Sequence, residues 1–157
     1  MTEALYIDPA LPFTLEQAQL SDLGQIHQLE KICFPLDAWP WLELAATMSL
    51  PGIVRYKAIW DDQLVGFIAA DKERQKDIGW IATICVHPDY RGHGIGRTLL
   101  AVTEQSIRTP RVRLTVREAN DRAIDLYERS GYHMIERWPR YYVGGAAGIV
   151  MEKMINA

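Results

Sequence analysis

The chain has 157 residues, 48% of them hydrophobic and 24% charged, with a formal net charge of −3. This is the composition of an ordinary globular protein, and it predicts one domain over residues 1–157 with enough chain for a full core. The negative balance argues against a general nucleic-acid binder, and no apolar run reaches the ~18 residues that a membrane span needs.

The opening residues lack a basic stretch followed by an apolar core, so the sequence predicts a soluble cytoplasmic protein with no membrane or nucleic-acid partner. "FTLEQAQL" reads as a first strand. Ser21 and Asp22 offer a helix cap, and Leu23, Ile26, Leu29 and Ile32 or Cys33 then recur at helical spacing. "FPLDAWP" breaks that helix, and "WLELAATMSL" reads as a second one. "GIVRYKAIW", the turn "DDQ" and "LVGFIAADK" form a hairpin. "DIGWIATICV" is apolar enough to be a central strand, and it makes Cys85 a buried thiol. Cys33 and Cys85 have neither a disulfide nor a metal spacing, and no metal site is expected. A helix follows over residues 94–108, then the strand "RVRLTV" and the helix "NDRAIDLYERSG", with Asn120 as cap and Gly131 as stop. "YHMIERW" and "GIVMEKMI" close the chain as strands. The order predicts an α/β fold of mixed α+β type: about seven strands in a mainly antiparallel sheet, with about four helices on both faces.

The densest chemistry lies in "VHPDYRGHGIGRTLL". Gly92, Gly94 and Gly96 alternate between a central strand and a helix, with Arg91 and Arg97 on either side. A helix N-terminus presents unpaired N–H groups and partial positive charge, and glycines let an anion reach them. This predicts a phosphate or pyrophosphate site. A dinucleotide fold needs G-x-G-x-x-G in a parallel unit, which the spacing does not give. A triphosphate loop needs a Gly-Lys-Ser/Thr ending, and here Arg97 precedes Thr98. Glycine turns also open helices that bind nothing.

The stretch "CVHPDYRGHGIGRTLL" resembles the acetyl-CoA-binding segment of the GNAT family of N-acetyltransferases, whose Arg/Gln-x-x-Gly-x-Gly/Ala pattern falls on Arg91, Gly94 and Gly96. "VREANDRAIDLYERSGYHMIER" is similar to the family's downstream segment, through Asn120, Tyr127 and Gly131-Tyr132. "RYYVGGAAGIVMEK" and "CFPLDAWPW" resemble the C-terminal hairpin and acceptor loop of RimI-type N-terminal protein acetyltransferases. The resemblance runs from about Phe13 onward.

It implies acetyl-CoA as cosubstrate and direct attack of an amine on the thioester. It also implies a strand that splays from its neighbour and pairs with the pantetheine arm through Ile84, Cys85 and Val86. The pyrophosphate would rest on Arg91, Gly92, His93, Gly94, Ile95, Gly96 and Arg97, with Asn120 near the arm. Tyr127 falls at the position of the acid that protonates the leaving thiolate, although a core aromatic is the ordinary reading of such a residue. RimI-type enzymes carry a glutamate base where this chain has Thr115. Glu118, His87, His133 and a water relay are the remaining candidates. Trp39, Trp41, Tyr141 and Tyr142 are candidates for the acceptor site or for the edge of the core. The expected activity is acetyl transfer to a protein N-terminal α-amine. A small-molecule amine is the alternative acceptor, and a non-catalytic acyl-CoA-binding module is the alternative of another class. The sequence does not speak to oligomeric state.

Overall fold

The computed structural model describes residues 8–155 in full and residues 4–6 as backbone. Among the described residues, eight strands form one sheet: β1 (Ala4–Tyr6), β2 (Thr14–Gln17), β3 (Ile53–Trp60), β4 (Gln63–Gln75), β5 (Ile78–Val86), β6 (Arg111–Arg117), β7 (His133–Trp138) and β8 (Gly148–Met154). Seven of them lie on the segments read as strands, and β1 adds a short edge. Four α-helices accompany them among the described residues: α1 (Leu23–Cys33), α2 (Trp41–Ser49), α3 (Ile95–Ile107) and α4 (Asp121–Arg129). The spatial order is β1-β2-β3-β4-β5-β6-β8-β7, and every neighbouring pair is antiparallel except β5–β6.

Local chemistry fixes the joints. The hairpin turn is two residues long rather than the expected three. Asp61 and Asp62 both take left-handed backbone, with φ 49° and 62°, which is the geometry that lets two strands close without splaying. The Asn120 side chain accepts from the N–H of Ala123 and starts α4, while Gly131 (φ 98°) ends the segment. Asp22 precedes α1 but does not cap it through its side chain. Its carboxylate turns back to the Gln19 N–H and also takes Lys57.

The helices cover both faces. Ile95, Leu99 and Leu100 of α3 and Tyr127 of α4 pack on Ala58, Ile68, Ile81 and Leu114. Ile26 and Leu29 of α1 and Leu44 and Met48 of α2 pack on Phe67, Ala69 and Cys85. Among the described residues, no helix is long and apolar enough to cross a membrane.

One irregularity positions the site. β5 and β6 pair only from Ile78 to Trp80, against Arg111 to Arg113, and then diverge. Where they part, β5 carries a bulge: Ala69 faces Thr83 and Ala70 faces Ile81, so Ala82 has no partner. An extra residue reverses which face each later side chain meets. Thr83 and Cys85 therefore point to the α1 side, and Ile84 and Val86 to the α3 side.

Candidate active site

The divergence opens a cavity of about 890 Å³ between the upper halves of β5 and β6. The His87 N–H donates to Val65 O, so strand alternation directs the Cys85 backbone toward β4. The same alternation aims the backbone groups of Ile84 and Val86 into the gap, where no strand meets them. The Val86 carbonyl accepts from Arg91 Nε at 3.1 Å and from Cys33 Sγ at 3.4 Å. Its N–H points the same way.

The glycine turn forms one end of this cavity. Arg91, Gly92, Gly94, Ile95, Gly96 and Arg97 line it, but the His93 side chain does not. That ring packs edge-on against Trp60, with centroids 4.9 Å apart. The glycines serve different needs. Gly92 (φ 83°) and Gly94 (φ 84°) are left-handed, and a Cβ on either would meet open space. Gly96 is ordinary helix, but its Cβ would lie 3.0 Å from Leu126 Cδ2, so it is there for close packing of α3 on α4. Gly94 caps α3 without a side chain, which leaves the N–H groups of Ile95, Gly96 and Arg97 free of helical partners. Arg122 adds a further positive side chain to the lining.

Asn120 and Tyr127 line the α4 wall. Tyr127 is 7% exposed. Burial first, then the nearby Tyr142 and Cys85 side chains, push its phenol well above the ordinary range. It therefore keeps its proton at neutral pH.

The opposite wall is made of side chains. Thr115, in the place of the expected glutamate, lines it with Cys33, Asp37, Trp39, Thr83 and Tyr142. Arg117 bridges to Asp37 through two hydrogen bonds and to Val143 O at 3.1 Å, and its guanidinium lies 5.1 Å from the Tyr142 ring. This ties the α1–α2 connection to the β7–β8 connection.

Several expected residues lie elsewhere. Trp41 stacks edge-on with His27 and is 47% exposed, and Tyr141 packs on Trp138 and Tyr142 at 50% exposed; neither lines the cavity. Glu118 is bound by Arg137 at 2.5 Å, which holds its carboxyl below the usual range. His87 accepts from the Asp89 N–H, and His133 is exposed on the edge strand. None of these three lines the cavity.

Two features went unread in the sequence. The fold brings Cys33 close to Cys85, although their spacing gave no pairing, and the Cys33 thiol donates to the Val86 carbonyl. Both remain free thiols. Glu30 lies on the buried face of α1, wholly enclosed, and accepts from Thr83 Oγ1 at 2.6 Å. Burial raises its carboxyl to about 7 against the opposing effect of that hydrogen bond. The signal was present: Ile26 and Glu30 stand four apart on the apolar face of the helix. Among the described residues, no group of three or more His, Cys, Asp or Glu is placed to hold a metal.

The model of the acetyltransferase (GNAT) family matches residues 22–132. The N-alpha-acetyltransferase RimI of Mycobacterium tuberculosis is 40% identical over 146 residues, covering 90% of this chain and 92% of that protein. The crystal structure of the ribosomal-protein-S18-alanine N-acetyltransferase from Escherichia coli superposes with a TM-score of 0.82 at 22% identity, covering 92% of this chain and 95% of that one. Arabidopsis thaliana NAA60 in complex with acetyl-CoA gives 0.79 at 20% identity, covering 92% and 99%.

Proposed function

The chain belongs to the GNAT acetyltransferase family and is an acyltransferase, and from that premise we propose that it moves an acetyl group from acetyl-CoA to the α-amine of a protein N-terminus by direct attack. The observation that carries this is the open seam between β5 and β6. It runs from a phosphate-sized cradle of free N–H groups to the Tyr127 phenol.

The residues fit the cosubstrate. The open space above Gly92 and Gly94 lets a pyrophosphate approach the α3 N–H groups, and Arg91, Arg97 and Arg122 give the region positive charge. The backbone groups of Ile84 and the Val86 N–H offer a strand edge, paired by no other strand, to an extended amide-bearing arm. Acetyl-CoA, when bound, supplies the activated acetyl group. The Val86 N–H then stands where it can stabilise charge developing on the acetyl oxygen. Tyr127 holds a proton for the departing sulfur.

A peptide acceptor is supported by exposed apolar side chains on the segments that supply the side-chain wall. Leu36, Trp41, Leu42, Tyr141 and Val143 are large and exposed outside the cavity, on α2 and the two connections that Arg117 ties together. A small polar amine has no use for such a surface. The Mycobacterium tuberculosis relative is named as an N-alpha-acetyltransferase, which supports the α-amine.

The test is thiol release from acetyl-CoA in the presence of short peptides with different first residues, beside spermidine and free lysine. Turnover with peptides alone is expected, and it should vanish when the N-terminus is blocked. Turnover confined to the free amines would overturn the acceptor assignment. No turnover with any amine, together with no binding of CoA, would overturn the reading as a whole.

A further inference from the structure

Removing a proton from the acceptor ammonium requires a base, and the cavity wall offers none directly. Among the described residues, the carboxylates that line it are Asp37 and Asp125. Asp37 is held by Arg117 and Asp125 by Arg129. No histidine among the described residues lines the cavity.

Behind the wall lies a carboxyl group that nothing above uses. Glu30 is 0% exposed, and its Oε2 has no hydrogen-bond partner among the described residues. Its Oε1 accepts from Thr83 Oγ1 at 2.6 Å, and Thr83 itself lines the cavity. The bulge at Ala82 is what turns Thr83 to this side, in the stretch where β6 has departed. A buried carboxyl with an unused oxygen is costly unless function holds it there.

We propose that Thr83 and Glu30 form the proton path for the acceptor amine, with Thr83 as the group that touches it and Glu30 acting through Thr83. The inference rests on the transferase reading above. The Thr83 hydroxyl takes a proton from the ammonium and passes its own to Glu30 Oε1. The neutral amine then forms its bond to the acetyl carbon as the carbon–sulfur bond breaks. Tyr127 gives its proton to the sulfur and is refilled by a second proton from the nitrogen. The proton on Glu30 leaves to solvent, so each transfer from an ammonium releases one proton and the groups return to their starting state.

The surroundings suit a base that works near neutral pH. Burial raises Glu30 to about 7, close to the value at which a general base is most effective. The groups around it are His27 and Cys33 on its own helix, Thr83 and Cys85 from β5, and Arg91 beyond β5. Phe67 and Ala69 of β4 and Leu44 and Met48 of α2 complete the packing and do not titrate.

The experiment is kcat/KM against pH for the wild type, Glu30→Gln, Thr83→Val and Thr83→Ser, each checked for folding by its melting temperature and for CoA affinity. Two peptide acceptors with different α-amine pKa values serve as probes. In the wild type, the rising limb should fall at one pH for both peptides. Glu30→Gln and Thr83→Val should each lower kcat/KM on the order of 100-fold. Their limbs should shift to follow the amine, while CoA affinity holds. Thr83→Ser should restore most of the rate. A merely structural pair would change stability without moving the limb. Wild-type limbs that already follow the two amines, or variants within about threefold of wild type, would overturn the relay. A wild type that acetylates no amine would overturn the transferase reading, and the relay with it.

Discussion

The two faces of the sheet meet the gap between β5 and β6 with different materials. On the α3–α4 face the wall is largely main chain: the N–H groups that open α3 and the free edge at Ile84 and Val86. On the α1–α2 face it is side chains from separate segments, among them Asp37, Thr83, Arg117 and Tyr142. A wall of backbone constrains sequence through conformation, since only glycine sits easily at φ 83° and 84°. A wall of side chains constrains it through chemistry, and one substitution can change what it accepts. Under the proposed function, the first wall meets the cosubstrate and the second meets the acceptor.

Tyr127 is the hinge of that comparison, because it belongs to α4 yet lies near Cys85 and Tyr142. Tyr127→Phe keeps the ring and removes the proton. We expect kcat to fall by about 10²–10⁴, or roughly 3–5 kcal/mol, with CoA affinity unchanged. A steady-state comparison checks it. A kcat within about threefold of wild type would make Tyr127 a packing residue, and the α4 wall purely a binding surface.

Glu30 sharpens the comparison through stability. Its carboxyl is raised from 4.5 to about 7 in the fold. A raised acid favours folding fully below its unfolded pKa, and that contribution is lost as pH rises to the folded value. The protein should therefore lose about 3 kcal/mol between pH 4.5 and 8 from this one group. Glu30→Gln cannot titrate and should be increasingly more stable than wild type over that window. Urea midpoints at several pH values measure the gap. Parallel curves would mean that the carboxyl is not desolvated in solution.

How much of each wall could be read from the sequence follows from the same contrast. The backbone wall was legible because its pieces are contiguous: strand, glycines and helix lie between residues 78 and 107. The side-chain wall was not, because it is assembled from connections far apart in the chain. Arg117 and Asp37 are separated by 80 positions. Trp41 and Tyr141 are aromatic and lie at or beside the two connections, yet neither lines the cavity, whereas Trp39 and Tyr142 near them do. Neither hydropathy nor spacing decides that direction in a loop. Thr83 depends on a one-residue bulge, which alternation alone would have placed on the wrong face. His93 lies inside the glycine turn, but its ring packs on Trp60 instead of lining the cavity.

The backbone wall can be broken at one position. Acetyl-CoA at a hundredfold excess over its dissociation constant should stabilise the wild type by about 2.7 kcal/mol. Gly94→Glu places a charged side chain into the open space above the cradle and strains a left-handed residue. The variant should melt lower in its free form, so the readout is the ligand-induced shift, which should disappear. A normal shift in Gly94→Glu would move the cosubstrate away from the turn.

The smallest expected effect tests whether the side-chain wall acts as a unit. Asp37 and Arg117 are 19% and 26% exposed at their side chains, so their attraction is screened only in part. Asp37→Asn keeps the shape and removes the charge that fixes Arg117, which then holds only Val143 O and the Tyr142 ring. Pairs of this kind contribute about 1 kcal/mol or less. If the pair orders the two acceptor connections, the acceptor KM should rise by about fivefold at most, and the KM for acetyl-CoA should stay fixed. Raising salt should weaken wild-type acceptor binding toward the variant's value, because the pair is partly wet. Equal changes in both KM values would mean that the pair supports the whole gap rather than one wall of it, and the division between the two faces would not hold.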